Sequence, residues 1–168
     1  MIWYINGEIG PDVNIALGMH LNSLKENEIL QIYLCSPGGS LDDCFVTIDM
    51  INQYKDNIVL KAFGEISSAA FIIYFQVKCK KYIMDYTIGM AHYAYMSVPS
   101  NQGGDVVPDG LDTFSYNELV KYKDEFINFY KALGFNKREL DFLKKGKDVH
   151  FSTERLRELQ ACQQKQKK

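Results

Sequence analysis

Apolar residues along this chain switch repeatedly between two spacings. Ile2-Trp3-Tyr4-Ile5 is a short apolar run closed by Asn6-Gly7, which predicts a strand. Behind Pro11-Asp12, a helix-start signal, Val13, Ala16, Leu17, Leu21 and Leu24 recur at helical spacing. The run from Ile29 to Cys35 predicts a buried strand, and Leu41, Phe45, Ile48 and Ile51 line one face of the helix after it. Ile58 to Phe63 predicts the next strand. Ser68 to Phe75 is apolar nearly all round, so a helix there is buried on most sides. Lys81 to Met84 and Ile88 to Ala91 predict two further short strands. Alternation of this kind predicts an α/β fold of βαβ units, with right-handed crossovers and a largely parallel sheet.

The rhythm breaks from Met96 to Ser115, which holds Pro99, Gly103-Gly104, Pro108 and Gly110 and predicts a long loop. A long helix follows over 116–133. Its stripe of Leu119, Tyr122, Phe126, Phe129, Tyr130 and Leu133 suits either packing on the sheet or a contact between subunits. Two shorter helical stretches, 136–144 and 152–160, flank a connection at Asp148-Val149-His150-Phe151. These elements make one domain over 1–160, with a polar tail at 161–168.

Composition narrows the function more by exclusion than by pointing. The 168 residues suit one domain with one core, and a formal net charge of -2 gives no electrostatic case for nucleic acid or an anionic membrane. No apolar run approaches the roughly twenty residues that span a bilayer. The N-terminus lacks the basic, apolar and small-residue regions of a secretory signal. Cys35, Cys44, Cys79 and Cys162 have no CxxC spacing, so they read as reduced thiols of a cytoplasmic protein rather than a metal site or disulfide framework. Cys35, just before a Ser-Pro-Gly-Gly turn, is weighed as a nucleophile, but nothing beside it marks it as activated.

Three features can carry chemistry. Ser36-Pro37-Gly38-Gly39 follows a strand and opens a helix; its glycines admit a close ligand, and the helix N-terminus offers unpaired N–H groups for an oxyanion or phosphate. The Gly-Lys-Ser/Thr ending of a phosphate-binding P-loop is missing. Next, Gly64-Glu65-Ile66-Ser67-Ser68-Ala69-Ala70 brings a serine between a strand and an apolar helix, where a hydroxyl caps the helix or acts as nucleophile with the Ala69 amide beside it. Either Ser67 or Ser68 can take each role. Finally, His92 closes an apolar strand one βα crossover later and is a candidate general base. Such a base needs a partner to fix its tautomer; Asp148 is the first candidate, with Asp141 and Asp85 as alternatives.

Together these motifs resemble the Clp protease proteolytic subunit family. The Ser-Pro-Gly-Gly turn, Gly64 to Ala70, Lys80-Lys81-Tyr82-Ile83-Met84 and Met90-Ala91-His92 fall in that family's order and approximate spacing, and the resemblance spans about residues 2 to 156. It implies a Clp/crotonase-like fold and a serine endopeptidase needing no metal or cofactor. It further implies Ser68 as nucleophile, His92 as base and Asp148, in Asp148-Val149-His150-Phe151-Ser152-Thr153-Glu154, as third member. Oxyanion donors would be the amides of Gly39, Ala69 and also Gly38. The implied substrate is a peptide or unfolded protein, and the implied assembly a homo-oligomeric ring. An ATP-driven AAA+ unfoldase is the family's partner, and three departures count against it here. The chain starts at its first core strand, Tyr93 stands where the family has Gln-Pro, and Arg157-Glu158-Leu159-Gln160 replaces the usual Tyr-Gly-Leu-(Val/Ile)-Asp ending.

Two rival readings remain at this point. One is a non-catalytic Clp-like scaffold subunit. The other is a crotonase-like acyl-CoA enzyme using the same backbone oxyanion turn, against which the serine–histidine order counts.

Overall fold

A computed structural model describes residues 1–92 and 124–165. Along the chain run β1 (Ile2–Asn6), α1 (Pro11–Ser23), β2 (Leu30–Ser36), α2 (Leu41–Gln53), β3 (Ile58–Ser67), α3 (Ala69–Gln76), β4 (Lys80–Ile83) and β5 (Ile88–Ala91). After them come helical residues 124–133 (α4), α5 (Lys137–Lys144), β6 (Val149–Phe151) and α6 (Thr153–Lys165). The expected 96–115 loop and the first part of the expected 116–133 helix lie outside the described residues.

The strands form one sheet in the order β1-β2-β3-β5-β6, with β4 also paired to β3. All pairs are parallel except β5 with β6. Residues alternate across it. Ile5, Leu30, Ile32, Leu34, Ile58, Leu60 and Ala62 are buried on one face, while Tyr4, Tyr33 and Lys61 share a row on the other. Period-2 alternation fixes which set faces the core. Helix α3 lies against β2, β3 and β5, and α2 packs between α1 and α3. Every residue of α3 from Ala69 to Phe75 is buried, as its all-round apolar sequence predicts.

Three differences from the sequence expectation have local causes. Strand β3 does not stop at Phe63. Its first half pairs with β2 and β4; then the β2 register slips between Leu34 and Ser36, and Glu65 to Ser67 pair with Ile88 to Met90 of β5. The strand thus changes partners at Gly64 instead of ending there. Secondly, the connection at 149–151 is a strand, β6, too short for a periodic signal. Thirdly, α6 runs past 160 to Lys165, because Gln163 donates to the Phe75 carbonyl (2.6 Å) and accepts from the Lys81 ammonium (3.0 Å).

The described part of the aromatic stripe packs inward. Phe126, Tyr130 and Leu133 are buried within the chain, and Tyr130 stacks on Phe135 with ring centroids 4.8 Å apart. The cysteines are free thiols; burial pushes Cys44 up to about 12 and Cys79 up to about 11, so both stay protonated near neutral pH.

Candidate active site

Ser68, His92, Asp148 and the Gly38-Gly39 turn all lie at one end of the sheet. The first two follow the carboxyl ends of the parallel strands β3 and β5, and the turn follows β2. Asp148 precedes β6, which runs the other way and so starts at that same end. This is the end at which open parallel sheets present their ligand sites.

Ser68 links β3 directly to α3 with no intervening loop, and its backbone absorbs the change of direction at φ 53° and ψ −119°. An L-residue in that region is strained by about 1–3 kcal/mol, a conformation that persists only where its surroundings enforce it. Here the Ser68 amide donates to the Met90 carbonyl (2.9 Å) and the Ser68 carbonyl accepts from Ile72 (3.1 Å). Small neighbours make room: Ser67, Ala69 and Ala70 in the chain, and Gly38 across the turn. A Cβ on Gly38 would lie 2.6 Å from the Ser68 Cβ and 3.1 Å from the Ala69 nitrogen. A bulkier residue at 38 therefore cannot coexist with this serine.

The two adjacent serines have separate fates. The Ser68 hydroxyl caps no helix amide; its Oγ lies 2.6 Å from Nε2 of His92. Ser67 is buried and its hydroxyl donates to Oε1 of Glu65 (2.7 Å). Of the two roles sequence leaves open for this pair, capping is filled by neither.

His92 is half-buried at the end of β5. Burial lowers its pKa below the ordinary 6.5, and the negative charge of Asp148 opposes that shift. The β5–β6 register explains the closeness of that charge. Gly89 faces Phe151, Met90 faces His150 and Ala91 faces Val149, so the next step sets His92 opposite Asp148. The Asp148 side chain is exposed. Asp85, one of the alternatives, is engaged elsewhere: it accepts from Arg157 at 2.6 Å. Asp141 lies within α5.

The turn supplies donors. The amides of Gly39 and of Ala69 find no acceptor among the described residues. The Gly38 amide, a further expected donor, is bonded here to Ser36 Oγ (3.1 Å), and the missing Cβ of Gly38 leaves room for Ser68. The turn is held from behind by Ile9, whose amide donates to the Gly38 carbonyl (2.7 Å) and whose carbonyl accepts from Ser40 (2.8 Å). One further contact is not foreseen from sequence: the buried Tyr130 hydroxyl donates to the His92 carbonyl (3.0 Å). Its only sequence signal is membership of the aromatic stripe.

A hydroxyl-to-imidazole distance of 2.6 Å, at a strained serine on a helix N-terminus beside two open amides, is a geometry that suits acyl transfer. The family model for Clp protease matches residues 5–139. The chain belongs to the Clp protease family. Over 144 residues it is 26% identical to the ATP-dependent Clp protease proteolytic subunit of Borreliella afzelii (strain PKo), covering 83% of this chain and 70% of that protein. The same subunit from Borrelia garinii subsp. bavariensis is also 26% identical over 144 residues, covering 83% of this chain and 71% of its own length. Among solved structures, a point mutant of ClpP1 from Listeria monocytogenes superposes with a TM-score of 0.70 at 18% identity, over 94% of this chain and 86% of that one. The Clp fold is therefore shared. Ser68 lacks the flanking glycines of a Gly-x-Ser-x-Gly elbow, with Ile66 and Ala70 at those positions, and has its space beside Gly38 instead.

Proposed function

We propose that this Clp-family protein is a serine endopeptidase acting on peptides or unfolded polypeptide. The observation that carries the reading is the 2.6 Å approach of His92 Nε2 to Ser68 Oγ at the strained β3–α3 junction. Oγ attacks the peptide carbonyl carbon while its proton passes to Nε2. Negative charge collects on the carbonyl oxygen, which the Gly39 and Ala69 amides and the N-terminus of α3 would stabilise; one such donor is worth about 3–4 kcal/mol. His92 then gives the proton to the leaving amine, and water repeats the sequence on the acyl-serine. Asp148 steadies the imidazolium across the β5–β6 register. None of these steps requires a cofactor.

The names of the relatives support proteolysis, and in those proteins an ATP-dependent one. Membership of the family further supports a homo-oligomeric ring of this chain. We place the protein in the cytoplasm, with an unfoldase partner as a secondary proposal. Labelling with a fluorophosphonate probe, with mass spectrometry to locate the adduct, tests the reading. An adduct on Ser68 that is lost in Ser68→Ala and His92→Ala supports it. A folded, assembled protein that takes no label is instead a Clp-like scaffold.

A further inference from the structure

Of two adjacent serines only Ser68 meets His92; strand alternation turns Ser67 the other way, where Glu65 takes its hydroxyl. Residues two apart on a strand share a face, and Glu65 and Ser67 do so at the end of β3. The Ser67 side chain is buried, and its hydroxyl donates to Oε1 of the exposed Glu65 carboxylate at 2.7 Å. A hydrogen bond to an ionised acceptor is about twice as strong as a neutral one. The bond closes immediately before the residue at φ 53° and ψ −119°. It also lies in the three residues by which β3 joins β5, the strand that ends in His92. The segment Glu65-Ile66-Ser67 is therefore fixed at its side chains as well as in its ladder.

We propose that Glu65 is a positioning residue. By taking the Ser67 hydroxyl, it holds the backbone at Ser68 in the strained form that aims Oγ at Nε2. The inference rests on the peptidase reading above and adds a specific partner to the nucleophile's turn. A glutamate at this position touches neither substrate nor the reacting atoms; it acts through Ser67.

The test uses the full chain and two readouts. One is the second-order rate of fluorophosphonate labelling at Ser68, in which Oγ attacks phosphorus, fluoride leaves and the proton passes through His92 to solvent. The other is hydrogen exchange of the Ser68 amide, which is bound to the Met90 carbonyl and reports the turn whether or not the serine is reactive. Glu65→Ala and Ser67→Ala should each slow labelling by about 3- to 10-fold and speed exchange. The double variant should be no slower than either single one, since both remove the same bond. Glu65→Gln, whose carboxamide oxygen still accepts, should recover most of the loss in both readouts. Wild-type rates in the single variants, multiplying losses in the double variant, or no recovery with Gln would each overturn the proposal. A wild type that takes no label sinks the peptidase reading alone; exchange then decides, with faster exchange in both single variants sustaining the positioning role and unchanged exchange ending it.

Discussion

His92 and Asp148, 56 positions apart in sequence, are the residues next beyond Ala91 and Val149, the last pair of the β5–β6 ladder. That places His92 beside the one antiparallel strand among the described residues. It also makes the electrostatics of the site directional: burial favours the neutral imidazole, and the carboxylate pulls the other way.

The first prediction concerns pH. On the peptidase reading neutral His92 accepts the Ser68 proton, so labelling should rise with pH through a midpoint below 6.5 and level off above it. Because the folded state prefers the neutral form, the linked stability is present above the unfolded value and declines as pH falls through the lowered folded one. Labelling rates and denaturant midpoints measured from about pH 5 to 8 check both limbs; a labelling midpoint above 6.5 would contradict burial as the dominant influence on His92.

Removing the carboxylate should act on rate and midpoint together. In Asp148→Asn the charge that raises the His92 pKa is gone, so the midpoint should move further down in pH. Labelling should fall by about 10²–10⁴-fold, as expected when a base loses the partner that orients it. Asp141→Asn is the control and should leave both quantities unchanged.

Gly38→Ala should be among the most damaging single changes. Its Cβ would lie 2.6 Å from the Ser68 Cβ and 2.9 Å from the Ser67 carbonyl oxygen, at a φ of 111° that disfavours any side chain. We expect about 2–4 kcal/mol of lost stability and no detectable labelling. Thermal melting beside the labelling assay separates the two effects, and a variant that melts and labels like wild type would show that the turn stands further from Ser68.

Tyr130→Phe removes a single hydroxyl from a buried, stacked ring. The cost should be about 0.5–1.5 kcal/mol, from the loss of its bond to the His92 carbonyl. A slower labelling rate with unchanged substrate KM would mark the hydroxyl as an anchor of the base's backbone. Equal rates in the two proteins would reduce it to a packing contact.

Much of this architecture was legible because periodicity reports burial, and burial is what a sheet and its helices share. The apolar run from Ser68 to Phe75 predicted a helix buried on most sides, and the run from Ile29 to Cys35 predicted a buried strand, as α3 and β2 are. What escaped has a common character: it depends on partners far away in the chain. The extension of β3 past Phe63 exists because β5 offers a second edge, and Val149 to Phe151 form a strand only because Gly89 to Ala91 lie alongside. At the site, residue types and order marked the Ser67-Ser68 pair and His92, and only the family resemblance chose Ser68 of the two. The fate of the Ser67 hydroxyl was not legible, since it turns on whether Glu65 lies on the same strand face, and sequence had ended that strand at Phe63.

The staple of Ile9 on the Gly38-Gly39 turn and the late position of Asp148 have a consequence for synthesis. The chain emerges from the ribosome in the order Ile9, Gly39, Ser68, His92, Asp148, so its chemistry is scattered over the interval from first strand to last. A nascent chain that has exposed Ser68 still lacks the base, and one that has exposed both still lacks β6 and the charge that precedes it. On the peptidase reading, the polypeptide stays chemically inert until that last strand has been made, and a product cut short before it inherits that inertness.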